Sequence, residues 1–157
     1  MTIQEINIKY QEYKSVEEMN PEDRELVAEA VKAMQGAYAP YSHFHVGAAV
    51  RMSNGQIVRG ANQENAAFPS GLCAERTAMF AAGARYPDKD MLSIAIAGGV
   101  MGRLGSQPAT PCGACRQVMA QYQAKSGRPM SVLMVASGQI LKFEKVDDIL
   151  PLIFNSI

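Results

Sequence analysis

The amino-terminal part of the chain changes from an alternating pattern to a helical one. Ile6, Ile8 and Tyr10 alternate with polar residues, which predicts a short first strand. Residues 20–23 then supply an Asn cap, a Pro in the first turn and acidic side chains, the composition of a helix start. Apolar residues recur at helical spacing as far as Gly36, a residue typical of helix ends.

A hairpin and a polar connection follow. Residues 44–52 are a strand candidate, and the Asn54-Gly55 pair predicts a tight turn because both residues tolerate positive backbone angles. Residues 56–59 return as the second strand of the hairpin. Residues 60–65 are then unusually polar for the middle of an apolar chain.

Two further helices are predicted to begin at cysteines, one from Cys73 to about Gly83 and one from Cys112. Three strands and a short helix complete the pattern, at residues 92–97, 131–136, 139–146 and 147–150. Such mixing of strands and helices indicates one α/β layered domain with a central mixed sheet. Both cysteine-headed helices follow strands, so their amino termini should converge at one edge of the sheet.

The composition is that of a globular protein of ordinary size. The chain has 157 residues, 48% of them apolar and 19% charged, which is enough to form a sizeable core. Fifteen basic residues balance fifteen acidic ones, so the basic excess that nucleic-acid binders direct at phosphates is missing. There is no signal-peptide pattern at residues 1–10 and no apolar run near the roughly 20 residues that span a bilayer. We therefore expect a cytoplasmic protein with neither nucleic-acid polymers nor membranes as partners.

All three cysteines lie in the two segments that begin helices. Cys112 and Cys115 are three positions apart, on one side of a helical turn, where their sulfurs can share a metal ion with Cys73. A C-x-x-C pair with one cysteine left over favours metal binding over disulfides and suits a reducing compartment. Three thiolates leave the fourth tetrahedral position open, as in catalytic zinc sites. The sequence therefore predicts one zinc ion per subunit.

Glu75 lies two residues after the first cysteine. Its carboxylate could reach a water molecule at the open position, take a proton from it and deliver that proton to a substrate. Three thiolates give the zinc site a net negative charge, which opposes ionisation of that water. The positive ends of the two helices partly offset this negative charge. Arg76 and Arg116 do so as well, since each follows a predicted ligand and can donate to sulfur. Arg76 is the expected counter-charge.

Simpler interpretations exist for the single residues. Neither His43 nor His45 has the spacing of a fourth zinc ligand, so both are interpreted as loop or exposed residues. Phe44 alone would be a core residue, Glu64 alone would be a solvated acid, and the ten methionines would fill the core. A structural zinc site and three unrelated cysteines are the remaining alternatives for the cysteine pattern.

The two cysteine segments together resemble the cytidine deaminase family. Cys-Ala-Glu-Arg at 73–76 and Pro-Cys-Gly-Ala-Cys-Arg-Gln at 111–117 carry the glutamate and the Pro-Cys-x-x-Cys of zinc deaminases. Three more segments match in family order: Tyr-Ser-His-Phe-His-Val-Gly-Ala-Ala at 41–49, Gly-Ala-Asn-Gln-Glu-Asn-Ala at 60–66 and Leu-Pro-x-x-Phe at 150–154. The matches extend from about residue 22 onward and are similar to those of enzymes that act on free nucleosides.

This resemblance implies a function and a set of site residues. The function is hydrolytic deamination of cytidine and 2′-deoxycytidine to uridine and 2′-deoxyuridine plus ammonia, as used in pyrimidine salvage. The implied metal ligands are Cys73, Cys112 and Cys115, with Glu75 shuttling protons at the N3 edge of the ring. The implied substrate contacts are Phe44 on the pyrimidine, Asn62 and Glu64 on the ribose 3′-hydroxyl, and Ala74.

The resemblance also implies a three-layer α/β/α sandwich with a central mixed five-stranded sheet. It implies one domain over residues 1–157, with an amino-terminal extension at about 1–15, and a homotetramer with shared active sites. Phe68 stands where family members often carry a Tyr that approaches a neighbouring subunit's site, so one hydroxyl is missing there. The tail around Phe154 fits either such a contact between subunits or burial in the core.

Other functions are compatible with the zinc segments. A deaminase of another aminopyrimidine nucleoside, the blasticidin type, shares these segments but matches less well at Arg76 and residues 62–65. A polynucleotide cytosine deaminase needs a basic and aromatic groove, whereas this chain is neutral, lacks Trp and is 7% aromatic. A non-catalytic zinc-stabilised binding module would supply a fourth protein ligand in place of water.

Overall fold

The computed structural model describes residues 1–155, which form a mixed sheet with helices on both faces. The strands are β1 Gln11–Tyr13, β2 Phe44–Met52, β3 Ile57–Ala61, β4 Met91–Val100, β5 Ser131–Ala136 and β6 Gln139–Phe143. The helices are α1 Pro21–Ala33, α2 Ala74–Arg85 and α3 Gly113–Ser126. The strand order is β1-β6-β5-β4-β2-β3; β4 and β5 run parallel, and every other neighbouring pair is antiparallel.

The sheet has six strands, so the expectation of five was wrong by one strand. The additional strand is β1, which pairs with β6 at the edge of the sheet from Gln11 opposite Lys142 to Tyr13 opposite Ile140. The first strand was also predicted too early, at residues 6–10, whose side chains are exposed. Alternation alone does not make a strand there, because backbone pairing begins only where β6 runs alongside the chain.

The side chains of the central strands alternate between two separate cores. On β2, Ala48 and Val50 belong to the core beneath α2 and α3, whereas Ala49 belongs to the core beneath α1. On β4, Ile94 and Ala95 divide in the same way. Successive residues of a strand point to opposite faces, so the sheet is covered on both sides. The predicted three-layer α/β/α architecture is confirmed.

Two glycines let the helices approach the sheet closely. A Cβ atom added at Gly47 would lie 2.3 Å from the backbone oxygen of Ala30 in α1. A Cβ atom added at Gly60 would lie 2.3 Å from the backbone nitrogen of Ala78 in α2. Neither gap admits a side chain, so Gly60 seats the first turns of α2 directly on β3.

The helix ends agree with the sequence patterns. The side chain of Asn20 caps α1 by accepting a hydrogen bond of 2.8 Å from the backbone N–H of Asp23. A 3₁₀ turn, Met34–Gly36, ends this helical segment at the predicted glycine. A second 3₁₀ turn, Val146–Asp148, replaces the predicted terminal helix.

Among the described residues, no helix is long and apolar enough to cross a membrane.

Candidate metal centre and active site

The two cysteine segments meet at one site, as predicted from their positions at helix starts. Cys73 is the N-cap residue of α2 and Cys112 is the N-cap residue of α3, while Cys115 lies in the first turn of α3. The Sγ atoms of Cys73 and Cys112 are 3.9 Å apart, and those of Cys112 and Cys115 are 3.5 Å apart. Sulfurs bound to one tetrahedral zinc ion lie about 3.8 Å from each other. The three thiols therefore fit zinc.

The cluster already favours thiolate at one position. A hydrogen bond from Cys115, opposed by burial and aided by Arg76, lowers the pKa of Cys73 to about 5. The pKa of Cys115 is raised, because its thiol donates to Cys73 and is buried. Three sulfurs this close cannot all carry a negative charge without a cation among them. The donor set therefore fits a metal ion, whose positive charge would allow all three thiols to ionise.

Arg76 and Arg116 take different roles, although both were expected to contact sulfur. A terminal nitrogen of Arg76 donates to Sγ of Cys73 across 3.5 Å, and this contact raises the pKa of the guanidinium. For Arg116 the expectation was wrong. Its side chain donates to the backbone oxygens of Pro111, at 2.8 Å, and Ile149, at 2.9 Å. Arg116 therefore links the segment before α3 to the segment that contains Ile149.

Glu75 is a buried carboxyl group beside the cysteines, with only 4% of its surface exposed. Burial raises the pKa of Glu75, its own backbone N–H opposes this rise, and the negative charge at Cys73 adds to it. A carboxyl group in these surroundings holds a proton more readily than one in water. Such a group is suited to accept a proton and to return it.

Phe44 lies at the first position of β2, opposite Val100 of β4. Phe44 is 39% exposed and is therefore not a core residue. A Cβ atom added at Gly98 would lie 3.1 Å from Cε1 of Phe44, so the ring rests against the β4 backbone. An aromatic ring is thus partly accessible at the end of the sheet where β2 begins.

The side chain of Asn62 is attached to β2. Its Oδ1 accepts a 2.8 Å hydrogen bond from the N–H of Val46, and its Nδ2 donates to the carbonyl of Phe44 at 2.9 Å. Glu64 accepts from the backbone N–H groups of Tyr41, at 2.9 Å, and Ser42, at 3.3 Å, and from the Ser42 hydroxyl. Both side chains therefore lie beside the residues that lead into Phe44.

Sequence patterns missed Gln63, which joins the polar connection to the cysteine segment. Its backbone exchanges hydrogen bonds of 2.9 and 3.0 Å with Leu72, the residue before Cys73. The Gln63 side chain points elsewhere and donates to the carbonyl of Gly36 at 3.0 Å. In an extended segment successive side chains point to opposite sides, so this alternation predicts that the Gln63 side chain points away from those of Asn62 and Glu64. The polar connection that carries Asn62 and Glu64 is thereby joined to the segment that leads into Cys73.

The remaining predicted residues divide between interior and surface. Ala74 is the first residue of α2 and is fully buried, so its proposed substrate contact stays a prediction. Phe154 is 67% exposed, which excludes the alternative of core burial within one chain. Within residues 1–155, the group of side chains close enough to hold a metal contains the three cysteines and neither histidine. Three ligands are typical of a catalytic zinc site.

Comparison with known families agrees with this geometry. Residues 20–127, which include all three cysteines and Glu75, match the family described as cytidine and deoxycytidylate deaminase zinc-binding region. The chain belongs to this deaminase family. The family description and the sulfur geometry agree on zinc as the metal.

Individual deaminases are similar to the chain in sequence. The chain is 48% identical over 98 residues to a cytidine deaminase from Halalkalibacterium halodurans, covering 61% of this chain and 68% of that protein. It is 44% identical over 97 residues to one from Sporosarcina psychrophila, covering 62% and 67%.

Solved deaminase structures share the fold. The cytidine deaminase from Burkholderia pseudomallei superposes with a TM-score of 0.72 at 36% identity, covering 87% of this chain and 100% of that one. The enzyme from Mycobacterium tuberculosis gives a TM-score of 0.68 at 30% identity, with coverage of 87% and 100%. The cytidine deaminase fold is thus shared along most of the chain.

Proposed function

We propose that the chain hydrolyses cytidine and 2′-deoxycytidine to uridine and 2′-deoxyuridine, releasing ammonia. The observation that carries this proposal is the paired hydrogen bonding of Gln63 with Leu72, at 2.9 and 3.0 Å. This bridge joins a polar segment suited to a sugar with a cysteine cluster suited to zinc. A free nucleoside offers both a sugar hydroxyl and an amino-substituted ring, so it matches both parts of the site.

Glu75 is the proposed proton carrier. Zinc in a three-ligand site supplies Lewis acidity, which lowers the pKa of water. The raised pKa of the buried Glu75 carboxyl suits it to accept a proton from water and to hold that proton at the ring N3 edge. Loss of ammonia from C4 then needs a second proton on the amino nitrogen. The Glu75 carboxylate, having passed the first proton to N3, can take the second from the hydroxyl newly bound to C4 and deliver it to the amino group, which leaves the C4 carbonyl of the product.

The hydrogen-bond donor and acceptor that Asn62 and Glu64 leave unused match one sugar hydroxyl. After bonding to Phe44, the Asn62 amide retains one N–H donor. After accepting from the Ser42 hydroxyl, Oε1 of Glu64 retains one lone pair, whereas Oε2 already accepts from two backbone N–H groups. One donor and one acceptor remain, which supports binding of the ribose 3′-hydroxyl. Since no bond to a 2′-hydroxyl is required, both cytidine and its 2′-deoxy form fit.

Phe44 is the proposed contact for the pyrimidine ring. Its exposed aromatic face, fixed against Gly98, offers the sequence-tolerant stacking surface that nucleobases use. Asn62 holds the backbone on both sides of this residue through the carbonyl of Phe44 and the N–H of Val46. Base and sugar contacts are therefore attached to the same strand.

We also propose a homotetramer acting in pyrimidine salvage in the cytoplasm. Several large apolar side chains are exposed in the single chain, which favours cover by other subunits. They include Phe68, Phe80, Leu152 and Phe154, exposed by 87%, 43%, 84% and 67%. Light scattering of the purified protein checks the oligomeric state, and a monomer at micromolar concentration would contradict it.

A substrate panel tests the proposed function. The purified protein is incubated with cytidine, 2′-deoxycytidine, blasticidin S and a cytosine-containing single-stranded oligonucleotide, and products are separated by chromatography. We expect turnover of the first two only. Preferential turnover of blasticidin S would favour the related nucleoside deaminase, and conversion of the oligonucleotide would contradict a site for free nucleosides.

A further inference from the structure

Ser42 contacts both halves of the proposed nucleoside site through one hydroxyl group. Its Oγ donates to Oε1 of Glu64 and accepts from the backbone N–H of Phe44, with an N···O distance of 3.0 Å. Oε1 is the oxygen that retains a lone pair for the sugar, and Phe44 is the proposed base contact. A single hydroxyl thus connects the sugar-binding carboxylate with the start of the strand that carries the aromatic ring.

The turn that carries Ser42 depends on such contacts for its shape. His43 adopts a φ of 55°, in the left-handed region that costs a non-glycine residue on the order of 1 kcal/mol. Its N–H donates to the carbonyl of Ala39 at 3.0 Å, and its carbonyl accepts from the N–H of Met101 at 2.8 Å. Glu64 closes the turn from the other side by accepting from Tyr41 and Ser42.

We infer that Ser42 is a positioning residue that orients the Glu64 carboxylate toward the sugar 3′-hydroxyl while fixing the backbone of Phe44. This inference rests on the proposed function. Without the hydroxyl, Oε1 of Glu64 loses the donor that fixes its direction, although Oε2 keeps its two backbone donors. The pKa of Glu64 is lowered first of all by the Ser42 hydrogen bond, as expected if that bond holds the ionised carboxylate.

A purely structural role for Ser42 predicts a different result. A serine hydroxyl that accepts from the N–H two residues later is a common turn device with no connection to ligands. Losing only that device would loosen the turn and weaken turnover of every substrate alike. A positioning role instead acts through the sugar hydroxyl, so its loss should depend on whether the substrate carries that hydroxyl.

The test compares cytidine with 3′-deoxycytidine in wild type, Ser42→Ala and Ser42→Thr, each with zinc content and melting temperature recorded. Wild type should prefer cytidine by about 100-fold in kcat/KM, since a site built for a hydroxyl rejects an analogue that lacks it. Ser42→Ala should lose roughly tenfold on cytidine, mainly in KM, and little on 3′-deoxycytidine. Ser42→Thr keeps the hydroxyl and should restore the preference.

The possible failures are distinguishable. If wild type does not discriminate between the two substrates, the proposed sugar contact of Asn62 and Glu64 is wrong. If wild type discriminates and Ser42→Ala does so equally well, Ser42 has no positioning role. Should Ser42→Ala fold poorly, Ser42→Cys provides a second test, because a thiol keeps the approximate size of the side chain but is only a weak hydrogen-bond donor. Ser42→Cys should also lose most of the preference for cytidine over 3′-deoxycytidine, and an undiminished preference would overturn the positioning role.

Discussion

The guanidinium group of Arg76 donates to Sγ of Cys73 across 3.5 Å. This contact joins the third residue of α2 to the cysteine that caps the helix and places a positive charge beside a cluster of three sulfurs. The Nε atom of Arg76 is buried with no hydrogen-bond partner among the described residues, so the side chain is held there at some cost. A role of the Arg76 charge at the cysteine cluster best explains why this side chain is kept in that position.

Replacing Arg76 should separate metal binding from turnover. We expect Arg76→Gln to retain zinc and to lose about 10- to 100-fold in kcat, because a hydrogen bond to a charged group is worth roughly 1.5–3 kcal/mol. Zinc is quantified by elemental analysis and turnover by ammonia release from cytidine. Unchanged turnover with full zinc content would show that the charge of Arg76 does not assist the site.

Arg51 provides the matched control for that substitution. It lies on β2 and donates to the carboxylate of Glu25 and the carbonyl of Glu22, both at 2.8 Å, away from the sulfurs. Arg51→Gln removes the same charge from an ion pair with an exposed partner, so kcat should stay within about twofold of wild type. A comparable loss of turnover in both variants would point to a general effect of charge removal.

Gly60 links the sheet to the metal segment. We expect Gly60→Ala to destabilise the fold by at least about 1–3 kcal/mol, because the new methyl group must displace α2 backbone that lies 2.3 Å away. Since α2 begins beside Cys73, zinc content should fall as well. Gly36→Ala is the control, because its Cβ would meet its nearest neighbour at 3.6 Å. Equal melting temperatures for the two variants would contradict this account.

Lys142 and Asp23 form a largely buried ion pair with an N···O distance of 2.8 Å. Burial opposes the charge of Lys142, but the hydrogen bond and negative charge of Asp23 outweigh it, so the pKa of Lys142 is raised above its ordinary 10.5. A raised pKa contributes stability below the unfolded value, and this contribution is lost as pH rises through the folded value. We expect Lys142→Met to cost about 3 kcal/mol near neutral pH and less above about pH 10.5.

Urea unfolding at about pH 7 and about pH 11 measures this difference. Lys32→Met serves as the control, since Lys32 lies 4.0 Å from Glu29 and is 61% exposed. That variant should differ from wild type by less than about 1 kcal/mol at the lower pH. If the destabilisation caused by Lys142→Met grew with pH, the predicted pH dependence of the ion pair would be wrong.

The 2′-hydroxyl should matter little to the enzyme. Asn62 and Glu64 together have one free donor and one free acceptor, and the proposed function assigns both to the 3′-hydroxyl. We therefore expect kcat/KM for 2′-deoxycytidine to lie within about tenfold of that for cytidine. Steady-state assays on both nucleosides decide the point, and a loss of several orders of magnitude on the deoxy form would require a contact to the 2′-hydroxyl.

The metal centre could be predicted because its determinants are local. Cys112 and Cys115 share one helical turn, and Cys73 caps another helix, so spacing and helix starts sufficed to bring the sulfurs together. The layered α/β domain with a mixed sheet followed in the same way from the alternation of strands and helices, whereas its three-layer form was implied by the resemblance to the cytidine deaminase family. Local patterns also place Glu75 in the first turn of α2, the helix that Cys73 caps, where burial then raises its pKa.

The errors arose where the outcome depends on distant residues. Arg116 directly follows Cys115, but its donors reach Ile149, which is 33 positions away and lies within no local pattern. The first strand forms where β6 runs alongside it, not where the alternation at residues 6–10 is clearest. The contact of Gln63 with Leu72 likewise depends on how two loops meet.

The most direct test of the account is ammonia release from cytidine by the zinc-quantified protein and its Glu75→Gln variant. Glutamine keeps the size of Glu75 and removes its capacity to accept a proton. We predict stoichiometric zinc in both proteins, ammonia release by the wild type, and a fall in kcat of at least about 100-fold in the variant. Wild-type turnover in a zinc-loaded Glu75→Gln protein, or no ammonia from zinc-loaded wild type, would contradict the account.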